Sequence, residues 1–350
     1  MTPRALISLL YNGSKAVDVL QAALDLRILD ALDPGPVTLG ELSDRLGLIP
    51  GRLYKLLDCL ESLGLLEPAR PRPGERREYR AVAGLREAVD DVLGPASIER
   101  DRDRHPWTVL HGRLPEVLRG DFGMPDEAFS WPPADEAQIA SFEQSMAAGL
   151  GPFVESFRSN APRLWGGRER VRLLDVGGGD GTLAARLLPG TPGLTIDVYN
   201  LPAIRPLVDR TRSALDCGSR LGFVGGDFLT EPLPTGYDAM SFVRVLHDWP
   251  AETAHQLLRR GFQALAPGGR VMISEEFRTP ERLARQFFWS YFLIGVDSCS
   301  SMLRELSEYA GILDLVGFSD IEILPGPVEI LLATKPGTAP GLEQTQPRSE

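Results

Sequence analysis

The run Leu173-Leu174-Asp175-Val176-Gly177-Gly178-Gly179-Asp180-Gly181-Thr182 constrains this chain more than any other stretch. It is an apolar strand that passes through an acid into a glycine-rich turn and on into helix-forming sequence. Glycines let the backbone pass close beneath a ligand where a Cβ would collide, and they supply the conformations of a tight strand-to-helix turn. The dinucleotide fingerprint G-x-G-x-x-G needs a third glycine where this chain has Thr182. The turn therefore points away from NAD and towards S-adenosylmethionine, which has no pyrophosphate to cradle and whose charged tail an acid near the turn attracts. A tight turn with no ligand is the alternative that the turn alone leaves open.

Around that turn, strand-like runs at 171–176, 194–199, 221–225, 238–243 and 270–275 alternate with helical sequence, the pattern of a doubly wound parallel sheet. The end of the domain departs from a dehydrogenase. Strands at 321–324 and 328–333 are joined only by Pro325-Gly326-Pro327, too short for a crossover, so they must form an antiparallel hairpin. This domain is expected to span 166–335, and the Pro-, Gly- and Gln-rich residues 336–350 to form a disordered tail.

The first 95 residues have a different texture. Val17, Leu20, Leu24, Ile28 and Leu32 recur at helical spacing, which predicts a helix over 15–32. Helices over 37–46 and 51–63 come next, separated by Gly47-Leu48-Ile49-Pro50 and closed by Gly64. Strands at 65–67 and 78–82, around a turn holding Pro71, Pro73 and Gly74, complete a winged helix over 1–95. Such a module reads DNA or packs on a copy of itself. Arg70, Arg72, Arg76, Arg77 and Arg80 would suit phosphates, but the second helix sets Asp58 and Glu61 among Leu53, Leu56, Leu57, Leu60 and Leu63, so much of it must be buried. Dimerisation is the expected use. Residues 96–165 read as a helical linker broken by prolines, whose Trp107, Trp131, Phe142 and Met146 would roof a pocket or serve as interdomain core.

A net charge of −11 disfavours a nucleic-acid partner, because neutralising phosphates takes clustered Lys and Arg. No run approaches the roughly 20 apolar residues of a membrane span, and the N-terminus lacks a secretory pattern. Cys59, Cys217 and Cys299 are scattered, which fits a reducing cytoplasm, and no His, Asp and Glu cluster has the spacing of a metal site.

Phe242-Val243-Arg244-Val245-Leu246-His247-Asp248-Trp249, together with Gly225-Gly226-Asp227-Phe228 and the glycine turn, makes the kinship specific. The chain resembles the S-adenosylmethionine-dependent O-methyltransferases of the plant caffeic acid type and their bacterial antibiotic-pathway relatives, winged helix included. The resemblance implies a Rossmann-like class I methyltransferase domain in the α/β class, behind a helical dimerisation domain. It assigns Asp175, Gly177, Gly178 and Gly179 to the methionine part of the cofactor, and Asp227 and Phe228 to the adenine, with Trp249 as a second aromatic wall. Asn200, before Leu201, stands where the family has an acid on the ribose hydroxyls, and Leu201 and Arg244 complete the cofactor set.

The resemblance makes His247 the general base and Glu275 the carboxylate that orients it. A phenol of pKa ~10 is a poor nucleophile until deprotonated, and an ordinary imidazole of pKa ~6.5 is mostly neutral and able to accept that proton. The chain departs from the family at Ser300-Ser301-Met302-Leu303-Arg304-Glu305, where Leu303 replaces a second acidic partner of the histidine unless Glu305 or Asp297 stands in. Gly149 stands where plant members present a histidine. Met146, Trp289, Phe292 and Ile294 are expected walls for a flat acceptor, with Asp297 and Ser298 as hydrogen-bonding groups. The expected activity is methyl transfer to a phenolic hydroxyl of a small aromatic metabolite by a homodimer. Ring C-methylation is the alternative within the enzyme class, and a ligand-sensing DNA-binding regulator the alternative from another.

Overall fold

The computed structural model describes residues 2–33, 35–67, 77–94, 112–123, 136–147, 149–279, 287, 291, 294 and 303–337. The chain divides into two compact units, Met1–Arg100 and Asp101–Glu350.

In the first unit, α1 (Pro3–Tyr11), α2 (Gly13–Asp25) and α3 (Ile28–Leu32) precede a short strand β1 (Val37–Thr38), then α4 (Leu39–Leu46) and α5 (Pro50–Ser62). The single helix expected over 15–32 is broken at Arg27, whose φ of 55° lies in the left-handed region. The helix expected over 37–46 begins two residues late. Thr38 caps it, accepting the Glu41 N–H while Glu41 reaches back to the Thr38 N–H, so Val37 and Thr38 are left extended. They pair antiparallel with β2 (Glu78–Tyr79), and a bridge between Leu66 and Ala81 joins the two runs expected to form the wing. The unit's core is built from Leu53, Leu57 and Leu60, spaced along α5, against Ile28, Leu32, Leu42 and Tyr79. Arg77 does not stand free for phosphate: it pairs with Glu61 at 2.5 Å and Asp58 at 4.0 Å. The helix α6 (Leu85–Leu93) closes the unit's described part.

The second unit carries α7 (Leu114–Arg119), α8 (Glu136–Ala147), α9 (Gly151–Ser159) and α10 (Ala161–Trp165) ahead of the sheet. The sheet then alternates β3 (Val171–Val176), α11 (Thr182–Leu187), β4 (Leu194–Asn200), α12 (Arg205–Ser213), β5 (Leu221–Gly225), β6 (Ala239–Val243), α13 (Ala251–Ala264) and β7 (Arg270–Ser274). It ends with α14 (Leu306–Val316), β8 (Ser319–Leu324) and β9 (Ile330–Thr334). The strand order is β5-β4-β3-β6-β7-β9-β8, parallel except that β9 runs antiparallel to both β7 and β8. This is the expected sheet, with the expected closing hairpin.

Parallel strands covered on both faces read as continuous apolar runs rather than alternations. β3 does so: Val171 and Leu173 pack on one face with Leu183, Leu187 and Val208, while Leu174 and Val176 pack on the other with Leu257, Leu258 and Leu313. The order β4-β3-β6 reverses at β3, so the carboxyl ends of β3, β4 and β6 open around one crevice, the ligand position of such folds. Among the described residues no helix is long and apolar enough to cross a membrane.

Candidate functional site

At the end of β3, Asp175 is buried, and its Oδ1 accepts the Ser241 hydroxyl from β6 at 2.7 Å. Among the described residues its Oδ2 has no hydrogen-bond partner. Burial pushes its pKa up to about 6, against the opposing pull of that one hydroxyl. The glycine turn beyond it has φ of 71° at Gly177, 55° at Gly179 and 82° at Gly181, values that an L side chain rarely adopts. Space is short as well: a Cβ on Gly177 would strike Val245, and one on Gly178 would strike the Asp175 carboxylate. The Gly177 N–H donates to the Tyr199 carbonyl at 2.8 Å, which ties the turn to the end of β4.

Helix α8 delivers a side chain to the same turn. Glu143 is buried, its carboxylate accepts the Asp180 N–H, and a Cβ on Gly179 would come within 2.5 Å of its Oε2. Burial, with repulsion from Asp180 added, raises its pKa to about 7 despite that amide hydrogen bond. The helix is anchored by Arg244, whose Nη1 donates to the Met146 carbonyl at 2.8 Å.

Beyond the end of β6, Arg244 takes a φ of 57° and leads the chain into the tight turn Leu246–Asp248. Glu275, just past β7, organises this turn from beneath. Its Oε1 accepts the N–H groups of Val245 at 2.9 Å and Leu246 at 2.8 Å, and its Oε2 binds His247 Nδ1. Asp248 Oδ1 lies 3.3 Å from His247 Nε2. His247 and Glu275 are both buried. Burial alone would depress the imidazole, but the charges of Asp248 and Glu275 and their hydrogen bonds overcome it and raise its pKa to about 10. With a carboxylate on each nitrogen, His247 favours the imidazolium more than the ordinary, mostly neutral imidazole expected from the sequence.

From the other side, the buried Arg304 donates through Nη1 to the Leu246 carbonyl at 3.0 Å and to the Tyr309 hydroxyl at 3.3 Å, and through Nη2 to the Trp249 carbonyl. Its neighbour Leu303 is buried. Glu305 is not the substitute acid: it caps α14, accepting the Glu308 N–H while Glu308 accepts its own N–H at 2.8 Å.

At the far side of the crevice, Asn200 ends β4, and its Oδ1 accepts the Leu201 N–H at 2.8 Å, leaving the amide NH2 group to act as donor. Asp227 lies beyond the end of β5. One of its oxygens accepts the Leu229 N–H at 2.8 Å and the other the Thr230 hydroxyl at 3.0 Å. Phe228 and Trp249 meet edge to face, with centroids 5.9 Å apart and planes at 86°.

A family model for the O-methyltransferase domain matches residues 108–319, and one for the O-methyltransferase dimerisation domain matches residues 8–83. The chain belongs to the O-methyltransferase family. The methyltransferase is 30% identical over 336 residues to a demethylspheroidene O-methyltransferase of Cereibacter sphaeroides, covering 92% of this chain and 84% of the relative. It is 32% identical over 316 residues to the N,N-dimethyltransferase OxyT of Streptomyces rimosus, covering 88% of each. Among solved structures, the apo form of the S-adenosylmethionine-dependent methyltransferase SibL shares the fold at a TM-score of 0.70 and 23% identity, over 95% of this chain and 99% of that one. Human N-acetylserotonin methyltransferase in complex with SAM does so at a TM-score of 0.59 and 24% identity, over 96% and 98%.

The methyltransferase uses S-adenosylmethionine, and its glycine turn fits that cofactor on its own geometry. The backbone is stripped of side chains where Cβ atoms would collide, and a buried carboxylate beneath it has an oxygen with no partner among the described residues. Of the expected acceptor-pocket residues, Met146 lies on α8 beside Arg244, and Ile294 is half-buried. Trp289, Phe292, Asp297 and Ser298 lie outside the described residues. Three side chains of the site escape a reading of the sequence alone: Glu143, Asp248 as a second histidine partner, and Arg304. Glu143 leaves a trace there, because Ile139, Glu143 and Met146 share one face of a helix at i, i+4 and i+7.

Proposed function

We propose that this methyltransferase transfers the methyl group of S-adenosylmethionine to a phenolic hydroxyl of a small aromatic metabolite, with His247 as the general base and Glu275 as the group that orients it. The observation that carries this reading is the His247–Glu275 pair, buried at the carboxyl edge of the sheet beside the glycine turn. When bound, the cofactor supplies an electrophilic methyl group. Glu275 fixes the ring by gripping Nδ1 while holding the two preceding backbone amides, which leaves Nε2 as the nitrogen an acceptor would meet.

The raised basicity serves this chemistry. An ordinary imidazole takes a proton from a phenol of pKa ~10 far uphill, whereas Glu275, which keeps its hold on Nδ1 when an acceptor takes the place of Asp248, favours the imidazolium and makes that transfer less uphill. Only the deprotonated fraction of His247 is competent, and the acceptor must displace Asp248 from Nε2. The relatives support the acceptor class. They include the tetracenomycin polyketide synthesis 8-O-methyl transferase of Streptomyces glaucescens and the 3-hydroxy-5-methyl-1-naphthoate 3-O-methyltransferase of Streptomyces sahachiroi. Transfer to nitrogen is the second reading, favoured by the likeness to OxyT.

The working unit in this proposal is a homodimer assembled through the dimerisation domain. Within the first unit, Leu6, Ile7, Leu10 and Tyr11 of α1 are all exposed, a row of large apolar side chains that a second copy would cover. Light scattering at low micromolar concentration should give twice the 38.3 kDa chain mass, and a monomer there would refute the assembly.

The acceptor is tested by incubating the enzyme with methyl-labelled cofactor and a panel of hydroxylated polyketides, aromatic acids and arylamines, then locating the label by NMR. A methoxy signal is the expected product. A label on ring carbon or on nitrogen overturns the oxygen assignment.

A further inference from the structure

Three carboxyl groups meet at the glycine turn: Asp175 beneath Gly178, Asp180 on the turn itself, and Glu143 against Gly179. Among the described residues, no Lys, Arg or His forms an ion pair with any of them. Asp175 accepts the Ser241 hydroxyl, Asp180 accepts the Thr182 N–H at 2.9 Å, and Glu143 accepts one amide. An ionised carboxylate offers about four acceptor sites, so Glu143 is buried with most of its capacity unused. Burying a charge this way is costly unless a partner arrives.

The position of Glu143 is enforced. Ile139 and Glu143 are both buried, on the face of α8 that turns inward, and the Arg244 guanidinium binds the Met146 carbonyl one turn further along. Gly179 is the counterpart of this arrangement, because any side chain there would meet the Glu143 carboxylate.

We infer that Glu143 is a cofactor-binding residue that receives the positively charged α-amino group at the aminoacyl end of S-adenosylmethionine. The inference rests on the cofactor assignment and adds to it a residue outside the turn motif. A primary ammonium has three N–H donors and one positive charge, which is what this cluster of acids lacks. The elevated pKa of Glu143, about 7, belongs to the ligand-free protein and is imposed by burial first and by Asp180 second. The other charged groups around the turn are Asp175, itself raised to about 6, and Arg244 on the Met146 carbonyl. A cation seated against Glu143 favours the carboxylate, so binding near pH 7 should expel a proton to solvent.

The test compares two neutral-sulfur ligands on the full-length protein by calorimetry. S-adenosylhomocysteine carries the α-amino and carboxylate groups, and 5′-methylthioadenosine carries neither while keeping the adenosine and sulfur. Glu143→Gln should weaken S-adenosylhomocysteine binding roughly tenfold to a hundredfold, the range for a hydrogen bond to a charged group. It should leave methylthioadenosine binding within about twofold, since the lost partner belongs to the tail. In buffers of different ionisation enthalpy, wild-type binding of S-adenosylhomocysteine at pH 7 should show proton release that Glu143→Gln abolishes. Glu143→Asp, which keeps the charge at shorter reach, should fall between the two.

Equal weakening of both ligands would mean that Glu143 only shapes the turn, and an unchanged S-adenosylhomocysteine affinity would mean that the ammonium sits elsewhere. Either result overturns the inference. If wild-type protein bound neither ligand, the cofactor assignment itself would fail, an outcome distinct from both.

Discussion

Glu275 and Asp175 stand two strands apart at the same edge of one sheet, both buried, and they are furnished differently. Glu275 binds two backbone amides and the His247 ring, whereas among the described residues Asp175 has the Ser241 hydroxyl on one oxygen and nothing on the other. Glu143 resembles Asp175, with a single amide for its carboxylate. A buried carboxylate with three donors is a finished unit that fixes whatever is attached to it. One with a single donor resists ionisation, and Asp175 and Glu143 respond with pKa values raised to about 6 and about 7. The corner proposed to hold the base is thus complete before any ligand arrives, while the corner proposed to hold the cofactor has unmet demand for positive charge. In the proposed reading the first arrangement serves precise proton transfer, and the second serves attraction of a cation.

The largest effect should come from the finished corner. His247→Ala should lower kcat about 10²- to 10⁴-fold, the usual contribution of a general base, and leave S-adenosylhomocysteine affinity nearly unchanged. In the wild type, log(kcat/KM) should climb as pH rises from 7, approaching tenfold per pH unit, and level off near the raised pKa of about 10. A profile that is flat from pH 7 to 9 would show that the ligand-free imidazolium is not the species to be deprotonated. Full activity in His247→Ala would move the base elsewhere.

Asp175→Asn probes the unfinished corner and should work in the opposite direction on stability. Because the folded-state pKa lies above the ordinary value of 3.8, the stability Asp175 contributes is present below about pH 4 and lost as pH rises to about 6. Ionising a carboxyl raised by that much costs about 3 kcal/mol. Asparagine keeps an acceptor for Ser241 and carries no charge, so ligand-free Asp175→Asn should be more stable than wild type by up to about that amount above pH 6, and similar to it near pH 4. Cofactor affinity should fall at the same time. A variant less stable at pH 8 would mean that the ionised Asp175 is satisfied by more than the Ser241 hydroxyl.

How much of this contrast is legible in the sequence depends on where each partner resides. The sheet can be read because its strands are apolar runs set between breakers, and Pro325-Gly326-Pro327 leaves no room for anything except a hairpin. His247 and Glu275 are singled out by the family resemblance, and their places at the ends of two strands put both at one edge of the sheet. Glu143 cannot be assigned a ligand from the sequence: it comes from a helix that precedes the sheet, and only packing brings it over Gly179. Nor does the sequence disclose that Asp248 turns back onto Nε2 of the residue before it, which is why the motif alone predicts a neutral imidazole. In the first unit, Val37 and Thr38 match the helical periodicity of 39–46, and only the Thr38–Glu41 cap defines where the helix starts.

Arg304 extends the finished corner outwards, and its removal should have a smaller effect than that of the base. It is a positioning residue, spanning the Leu246 and Trp249 carbonyls on either side of His247. Arg304→Met leaves those carbonyls without their donor, at a cost of about 1–3 kcal/mol for each one left unsatisfied, and should lower kcat roughly tenfold with little change in the KM for cofactor. Arg304→Lys should restore part of the rate by serving one carbonyl of the two. A loss of stability with kcat unchanged would reduce Arg304 to a purely structural role.

The smallest effect belongs to an acid that looks equivalent to the others in sequence. Glu305 stands two residues beyond Leu303, the position that the family resemblance assigns to a second acid, and by position alone it could replace that acid beside His247. Its carboxylate instead accepts the Glu308 N–H at the start of α14, an exposed capping box remote from the imidazole in function. Glu305→Ala should therefore remove a cap, at about 0.5–1 kcal/mol of stability, and leave both kcat and the shape of the pH–rate profile unaltered. Thermal melts and a pH–rate series on the same preparation measure both quantities. If Glu305→Ala shifted the rate profile downward in pH, the histidine would be losing a negative neighbour, and the finished corner would have to include a third carboxylate. An unshifted profile leaves Glu275 and Asp248 as the acids acting on His247, the two that touch its nitrogens.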